Sequence, residues 1–148
     1  PILWKIHSIH HCDKEMDLST GFRFHPLEIY LSSLFKTFLI ILLAPKLEHY
    51  IIYETILFSM AIFNHSNFRI PAKLDATLRL FIVTPEMHYP HHHPDKSNTN
   101  SNYGNFLSVW DRIFKSYNTK HTDTFGLNYI SRKQSEDLKF LLLFTSNR

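Results

Sequence analysis

The stretch Phe38-Leu39-Ile40-Ile41-Leu42-Leu43-Ala44, followed at once by Pro45-Lys46, decides how the chain is organised. It ends a longer apolar run, residues 27–44, which as an α-helix reaches about 27 Å, close to the hydrocarbon thickness of a bilayer. Lys36 interrupts the run, and Pro45 stops it because proline cannot continue the helical hydrogen-bond ladder. A second apolar stretch, residues 47–64, carries Glu48, His49 and Glu54. Two helices joined by so short a link lie antiparallel, as a hairpin. Hydropathy leaves two readings open: a membrane hairpin, or a buried hairpin in a soluble helical domain.

The composition agrees with helices. Hydrophobic residues make up 44% of the 148, Phe occurs 13 times and Gly only 3 times, which favours helices over a loop-rich or all-β fold. The formal net charge of +3 suits an anionic membrane surface as well as nucleic acid. No basic run is interleaved with aromatic residues, so nucleic-acid binding is set aside. The single cysteine, Cys12, rules out an internal disulfide framework and a cysteine-type zinc site. The chain opens on Pro1-Ile2-Leu3-Trp4 without an initiator Met or a signal-peptide pattern, as expected of a piece of a longer reading frame.

The residues that carry chemistry flank the hairpin. Eleven histidines are present, and most fall in clusters. The pattern His-x-x-His-His occurs before the hairpin as His7, His10 and His11, and after it as His88, His91 and His92. On a helix, positions i, i+3 and i+4 share a face, so three imidazoles can converge on one metal or bridge two. Imidazole suits zinc, copper, iron and nickel. Pro90 weakens this face argument for the second box, because a mid-helix proline kinks the chain and leaves His91–His93 at a helix end. Thr84-Pro85 reads as the start of that helix. Leu74, Leu78, Phe81 and Ile82 predict an amphipathic helix over 73–82, to lie on a membrane surface or pack on a protein core, and Phe106, Val109, Trp110, Ile113 and Phe114 predict a packed helix over 105–117.

At these residues the chain resembles the fatty acid hydroxylase/sterol desaturase superfamily, the membrane histidine-box di-iron oxygenases. Trp4-Lys5-Ile6-His7-Ser8-Ile9-His10-His11 resembles the second histidine box, and Thr20-Gly21-Phe22-Arg23-Phe24-His25-Pro26-Leu27-Glu28 the segment after it. Phe63-Asn64-His65-Ser66-Asn67 resembles the isolated His-Ser-Asn element. Thr84-Pro85-Glu86-Met87-His88-Tyr89-Pro90-His91-His92 resembles the last box, and Ser101-Asn102-Tyr103-Gly104-Asn105-Phe106-Leu107-Ser108-Val109-Trp110-Asp111-Arg112-Ile113-Phe114 the stretch beyond it.

The resemblance implies an all-α fold: an integral membrane helical hairpin at about 27–64, with a histidine-rich cytosolic helical cap. The cap comprises segments 1–26 and 65–127 of a single partial domain over 1–148, with a C-terminal tail at 128–148. It implies His7, His10, His11, His65, His88, His91 and His92 as ligands to two iron ions, with zinc as a substitute and no catalytic residue separate from the ligands. His25, Asn102 and Asp111 are candidates either to ligate or to hydrogen-bond a ligand, while His93, His49 and His121 are expected outside the site. The implied activity is O2-dependent hydroxylation or desaturation of a membrane lipid, such as a sterol or fatty acyl chain, with electrons from a cytochrome or ferredoxin. Phe35, Phe38 and Tyr53 are candidates to line an apolar channel, although for any one of them facing lipid or a neighbouring helix is the more ordinary role.

Arg69, Lys73, Arg79, Arg112, Lys115, Lys120, Arg132 and Lys133 all follow the hairpin, which puts the histidine side in the cytoplasm. The family's earlier box would lie upstream of residue 1, so this chain alone is expected to bind metal poorly and to be inactive. Two alternatives compete: a mononuclear zinc hydrolase, with Glu86 as its general base, and a degenerate, non-catalytic membrane fragment.

Overall fold

The computed structural model describes residues 3–143. The expected calls on residues 1, 2 and 144–148 lie outside that range. Helices and turns make up the described chain, and the one ladder contact among them is an isolated bridge between Ile82 and Leu107.

Helix α1, Trp4–His7, is a single turn, and a tighter 3₁₀ turn follows at His10–Cys12. The two long helices are α2, Pro26–Leu43, and α3, Leu47–Asn64, of 18 residues each. His25 starts α2: its ring Nδ1 accepts the Leu27 N–H at 3.1 Å, with Pro26 in the first helical turn, where its missing N–H costs nothing. Ala44 ends α2 in the left-handed region at φ 43°, and its N–H closes on Ile40 O. Three residues then reverse the chain into α3, and Lys36 of α2 pairs with Glu54 of α3 at 2.7 Å. By length and composition, α2 is long and apolar enough to cross a membrane, and among the described residues it alone passes that test. No residue of α2 is buried, and Asn64 alone is buried in α3.

Four short helices follow: α4 at Ala72–Leu78, α5 at Pro85–His88, α6 at Lys96–Thr99 and α7 at Val109–Ile113. Two expectations are corrected here. The helix predicted over 73–82 stops at Leu78, and its buried residue is Asp75, while Leu74 and Phe81 are exposed. Asp75 is drawn inside because it accepts the Thr84 hydroxyl at 2.6 Å and pairs with Arg79. The packed helix predicted over 105–117 is the five-residue α7, whose buried residue is Asp111, while Trp110 and Phe114 face outward. In both segments a buried carboxylate that satisfies backbone or hydroxyl donors outweighs the apolar stripe.

Helices α8, Arg132–Glu136, and α9, Leu138–Leu143, complete the described chain. Buried Leu127 and Ile130 pack on Cys12, with Trp4, Phe140 and Leu141 around them. Arg23 donates to Ser135 O at 2.6 Å and Lys14 to Leu127 O at 2.6 Å, so this last segment backs the turn that carries His10 and His11. Buried polar residues outnumber buried apolar ones among the described residues, so the interior is organised around a polar site rather than an oily core.

Candidate metal centre

Seven histidines meet in two adjoining groups. His10, His65, His88 and His92 form one, and His7, His11 and His91 the other; within each group the ligand-capable atoms lie within 4.8 Å of one another. Neither box is one continuous helix. The first passes from α1 into the 3₁₀ turn at His10, and the second passes from α5 into a 3₁₀ turn over Tyr89–His92 that starts beside Pro90. Thr84 caps α5 through Met87 N–H, and Pro85 fits its first turn. The result is a regular division. In each box the i and i+4 histidines enter one group and the i+3 histidine crosses to the other: His7 and His11 against His10, His88 and His92 against His91.

Four backbone or carboxylate acceptors fix the orientation of three rings. His65 Nδ1 donates to Ala61 O at 2.6 Å, and His91 Nδ1 lies 2.9 Å from both Thr99 O and Ser101 O. His7 Nδ1 lies 2.7 Å from Glu28 Oε1. A carbonyl can only accept, so His65 and His91 carry their protons on Nδ1 and present Nε2 lone pairs inward. Burial holds His10, His11, His88 and His92 well below the ordinary imidazole range, and neighbouring imidazoles add to the effect. Burial likewise lowers His65, and lowers His91 to about 4. These rings are neutral at pH 7 and offer lone pairs.

The residues fit a metal. His65 Nε2 lies 3.0 Å from His10 Nε2, 3.1 Å from His92 Nε2 and 3.3 Å from His88 Nε2, yet its proton is on the far side of the ring. The single His65 lone pair can accept from only one neighbouring Nε2–H, so three ring nitrogens at this spacing suit a cation held among them. An ion bound by imidazole at about 2.1 Å spaces its nitrogens about 3.0–3.4 Å apart, for right-angled to tetrahedral geometry. His11 is fully buried and neither ring nitrogen has a protein partner; the Nδ1 atoms of His10 and His88 are also unpaired. Such orphans cost about 1–3 kcal/mol each unless something satisfies them. An all-imidazole set suits iron, zinc, copper or nickel. Cys12 takes no part, since its thiol donates to Ile9 O at 3.0 Å.

The remaining candidates fall elsewhere. His25 belongs to neither group and is half-buried, its ring spent on capping α2 and meeting Leu142 O. Asn102 touches no histidine ring: it donates to Met87 O and Asn118 O and thereby ties the strand of chain before His88 to the loop beyond. Asp111 accepts Tyr103 N–H, Gly104 N–H and the Ser116 hydroxyl, and so shapes the turn whose Ser101 carbonyl holds His91. His93 accepts Asp95 N–H, His49 lies near Glu48 on the surface, and His121 pairs with Glu86. Glu86 thus pairs with His121 and belongs to neither ligand group.

Glu28 was quoted in the sequence only as part of a motif. Its signal was available: an acidic residue in the first turn of a helix that starts just after the first box.

A cavity of about 770 Å³ opens beside both groups. His7, His10, His65, His88 and His91 line one side, and Ile6, Phe24, Leu31 and Phe35 supply an apolar wall. Of the three channel candidates Phe35 borders it, whereas Phe38 and Tyr53 are not among its lining residues.

Comparison with known proteins agrees with this geometry. The chain is 27% identical to human alkylglycerol monooxygenase over 134 residues, 86% of this chain and 28% of the relative. It is 29% identical to the Danio rerio alkylglycerol monooxygenase over 116 residues, 78% of this chain and 25% of the relative. It is 26% identical to an ornithine lipid hydroxylase from Rhizobium tropici over 119 residues, 78% of this chain and 34% of the relative. The chain thus spans about a quarter to a third of the length of these curated relatives. No solved structure matches it. The family model for fatty acid hydroxylase matches residues 1–116, most of the length and both histidine groups, and the chain belongs to that family.

Proposed function

We propose that this chain supplies the metal-binding part of an O2-dependent lipid hydroxylase, with two iron ions held by His10, His65, His88 and His92 and by His7, His11 and His91. The observation that carries this reading is the convergence of seven imidazoles, six of them buried, beside an apolar-walled cavity. When bound, the iron pair supplies the O2 and electron chemistry that no side chain provides.

The chain's own residues do the rest. Ala61, Thr99 and Ser101 carbonyls and the Glu28 carboxylate hold three rings with Nε2 turned inward. Ile6, Phe24, Leu31 and Phe35 bind alkyl chain and exclude water from the reacting carbon. The relatives' names favour oxygen insertion into a lipid over desaturation. One oxygen atom enters the lipid and the other leaves as water, with two electrons supplied through a cytochrome or ferredoxin partner and two protons from solvent.

The same reading puts α2 and α3 in a bilayer as a hairpin, with the histidines on the cytoplasmic side. Exposed apolar side chains along both helices support it, as does the Lys36–Glu54 pair, which neutralises charges that a bilayer would otherwise oppose. Exposed Leu80, Phe81, Leu107, Trp110 and Phe114 lie on segments joined by the Ile82–Leu107 bridge and suit the lipid headgroup boundary.

The test is elemental analysis of the detergent-purified protein after anaerobic Fe(II) loading, followed by reaction with isotope-labelled O2, a reductant and extracted membrane lipid. About two irons per chain and one labelled oxygen per product molecule are the result expected if the seven histidines suffice, and little iron with no product is the result expected if the site needs a further histidine box. A protein that takes up one zinc and no iron overturns the reading.

A further inference from the structure

Resting on that reading, the further question is what holds the three-histidine group in place from outside. Its three rings are supported unequally. His91 is fixed by two backbone carbonyls, and His11 has no protein partner at either nitrogen. His7 is half-exposed, on a helix of four residues, and its Nδ1 meets a single acceptor, Glu28 Oε1 at 2.7 Å. Glu28 lies 21 positions away, in the first turn of α2. Its other oxygen, Oε2, is buried without a protein partner, and the residue borders the cavity.

We propose that Glu28 is a positioning residue for the three-histidine group. Its Oε1 takes the His7 Nδ1 proton in a hydrogen bond, which leaves the His7 lone pair on Nε2 and aims it at His11 and His91. A carboxylate behind a ligating imidazole fixes the tautomer and raises ligand basicity. Here the carboxylate also belongs to the apolar helix α2, so that helix and the metal group share a polar contact. Any rotation of α2 that withdraws Glu28 frees the His7 ring. The four-histidine group has no such dependence, because its fixed ring, His65, is held by Ala61 O within its own helix end.

The experiment is a titration of the detergent-solubilised, metal-stripped protein with Co(II), followed by the ligand-field absorption of each successive ion. Wild type, Glu28→Gln, Glu28→Ala and Glu28→Asp are compared, with far-ultraviolet circular dichroism as a check on folding. In wild type two ions bind. In Glu28→Gln one ion binds with unchanged affinity and spectrum, and the other binds about 10- to 100-fold more weakly with an altered spectrum. Glu28→Ala loses at least as much, and Glu28→Asp, which keeps the charge on a shorter arm, recovers part of it.

Equal affinity for both ions in wild type and Glu28→Gln overturns the inference and leaves the metal centre standing. So does an equal fall for both ions, which marks a general structural role. A wild-type protein that binds no ion removes the metal-centre reading itself.

Discussion

His11 and His92 stack face to face, with ring centroids 4.5 Å apart and planes 20° apart, although they belong to different histidine groups. Both are almost wholly buried. The two groups therefore share a wall made of imidazole. His11→Ala removes a ligand from one group and half of that wall from the other. Iron content of the loaded variant is expected to fall from about two ions to about one per chain, and the retained ion to bind less tightly, because support around a ligand sets its affinity. Elemental analysis with competitive chelation reads both effects.

Gly21 is a second point of control. A Cβ placed there lies 3.3 Å from Ala61 O and 3.5 Å from His65 Nδ1, the two atoms that hydrogen-bond to each other. Gly21→Ala is expected to disturb that bond and so to weaken the ion held by the four-histidine group several-fold, with the other ion unaffected. The Co(II) titration separates the two, and the loss of both ions together is the contrary result.

Asp111 should matter for stability although it touches no ligand. It accepts two backbone N–H groups and a hydroxyl while almost fully buried. Asp111→Ala leaves those donors unpaired and is expected to cost about 1–3 kcal/mol. Gly104→Ala drives a Cβ to 2.9 Å from the same carboxylate and is expected to destabilise in the same direction. Thermal melts of the purified variants check both.

Acid should unfold the metal-free protein early. His91 titrates at about 4 in the folded chain against 6.5 for the ordinary side chain. As pH falls below 6.5 the unfolded chain takes up the proton first, so the stability present above 6.5 drains away towards 4. At one unit below 6.5 this single residue accounts for about 1.4 kcal/mol, and the other buried histidines shift in the same direction. Denaturation at pH 7.5 and 5.5 measures the loss, and bound Fe(II) should move it to lower pH.

The Lys36–Glu54 pair tests the bilayer reading. Lys36→Met alone leaves Glu54 without its cation and is expected to lower thermal stability in detergent micelles, whereas Lys36→Met with Glu54→Leu restores it. A single variant as stable as wild type argues against an apolar surrounding.

The limits of the two long helices were readable because their signals are local. The apolar runs and Pro45 set α2 and α3 within a residue or so of the expected 27–44 and 47–64. The seven clustered histidines were readable as a set from spacing and resemblance. Their division was not, because it depends on where each box changes from α to 3₁₀ winding, and that pitch is set by Pro90 and by packing on distant segments. The inward turn of Asp75 and Asp111 was also hidden. Apolar periodicity assumes that the stripe faces the core, and here the neighbouring core is polar and the apolar residues face outward.

The docking of the last segment on the first box sets an order of assembly during synthesis. All seven clustered histidines have left the ribosome once residue 92 has emerged, yet the turn bearing His10 and His11 is backed by Leu127, Ile130 and Ser135. The contacts of Lys14 with Leu127 and Arg23 with Ser135 span 113 and 112 positions. Such distant contacts form late. A nascent chain therefore displays its histidines well before the contacts of the α8 and α9 segment that back the first box can form.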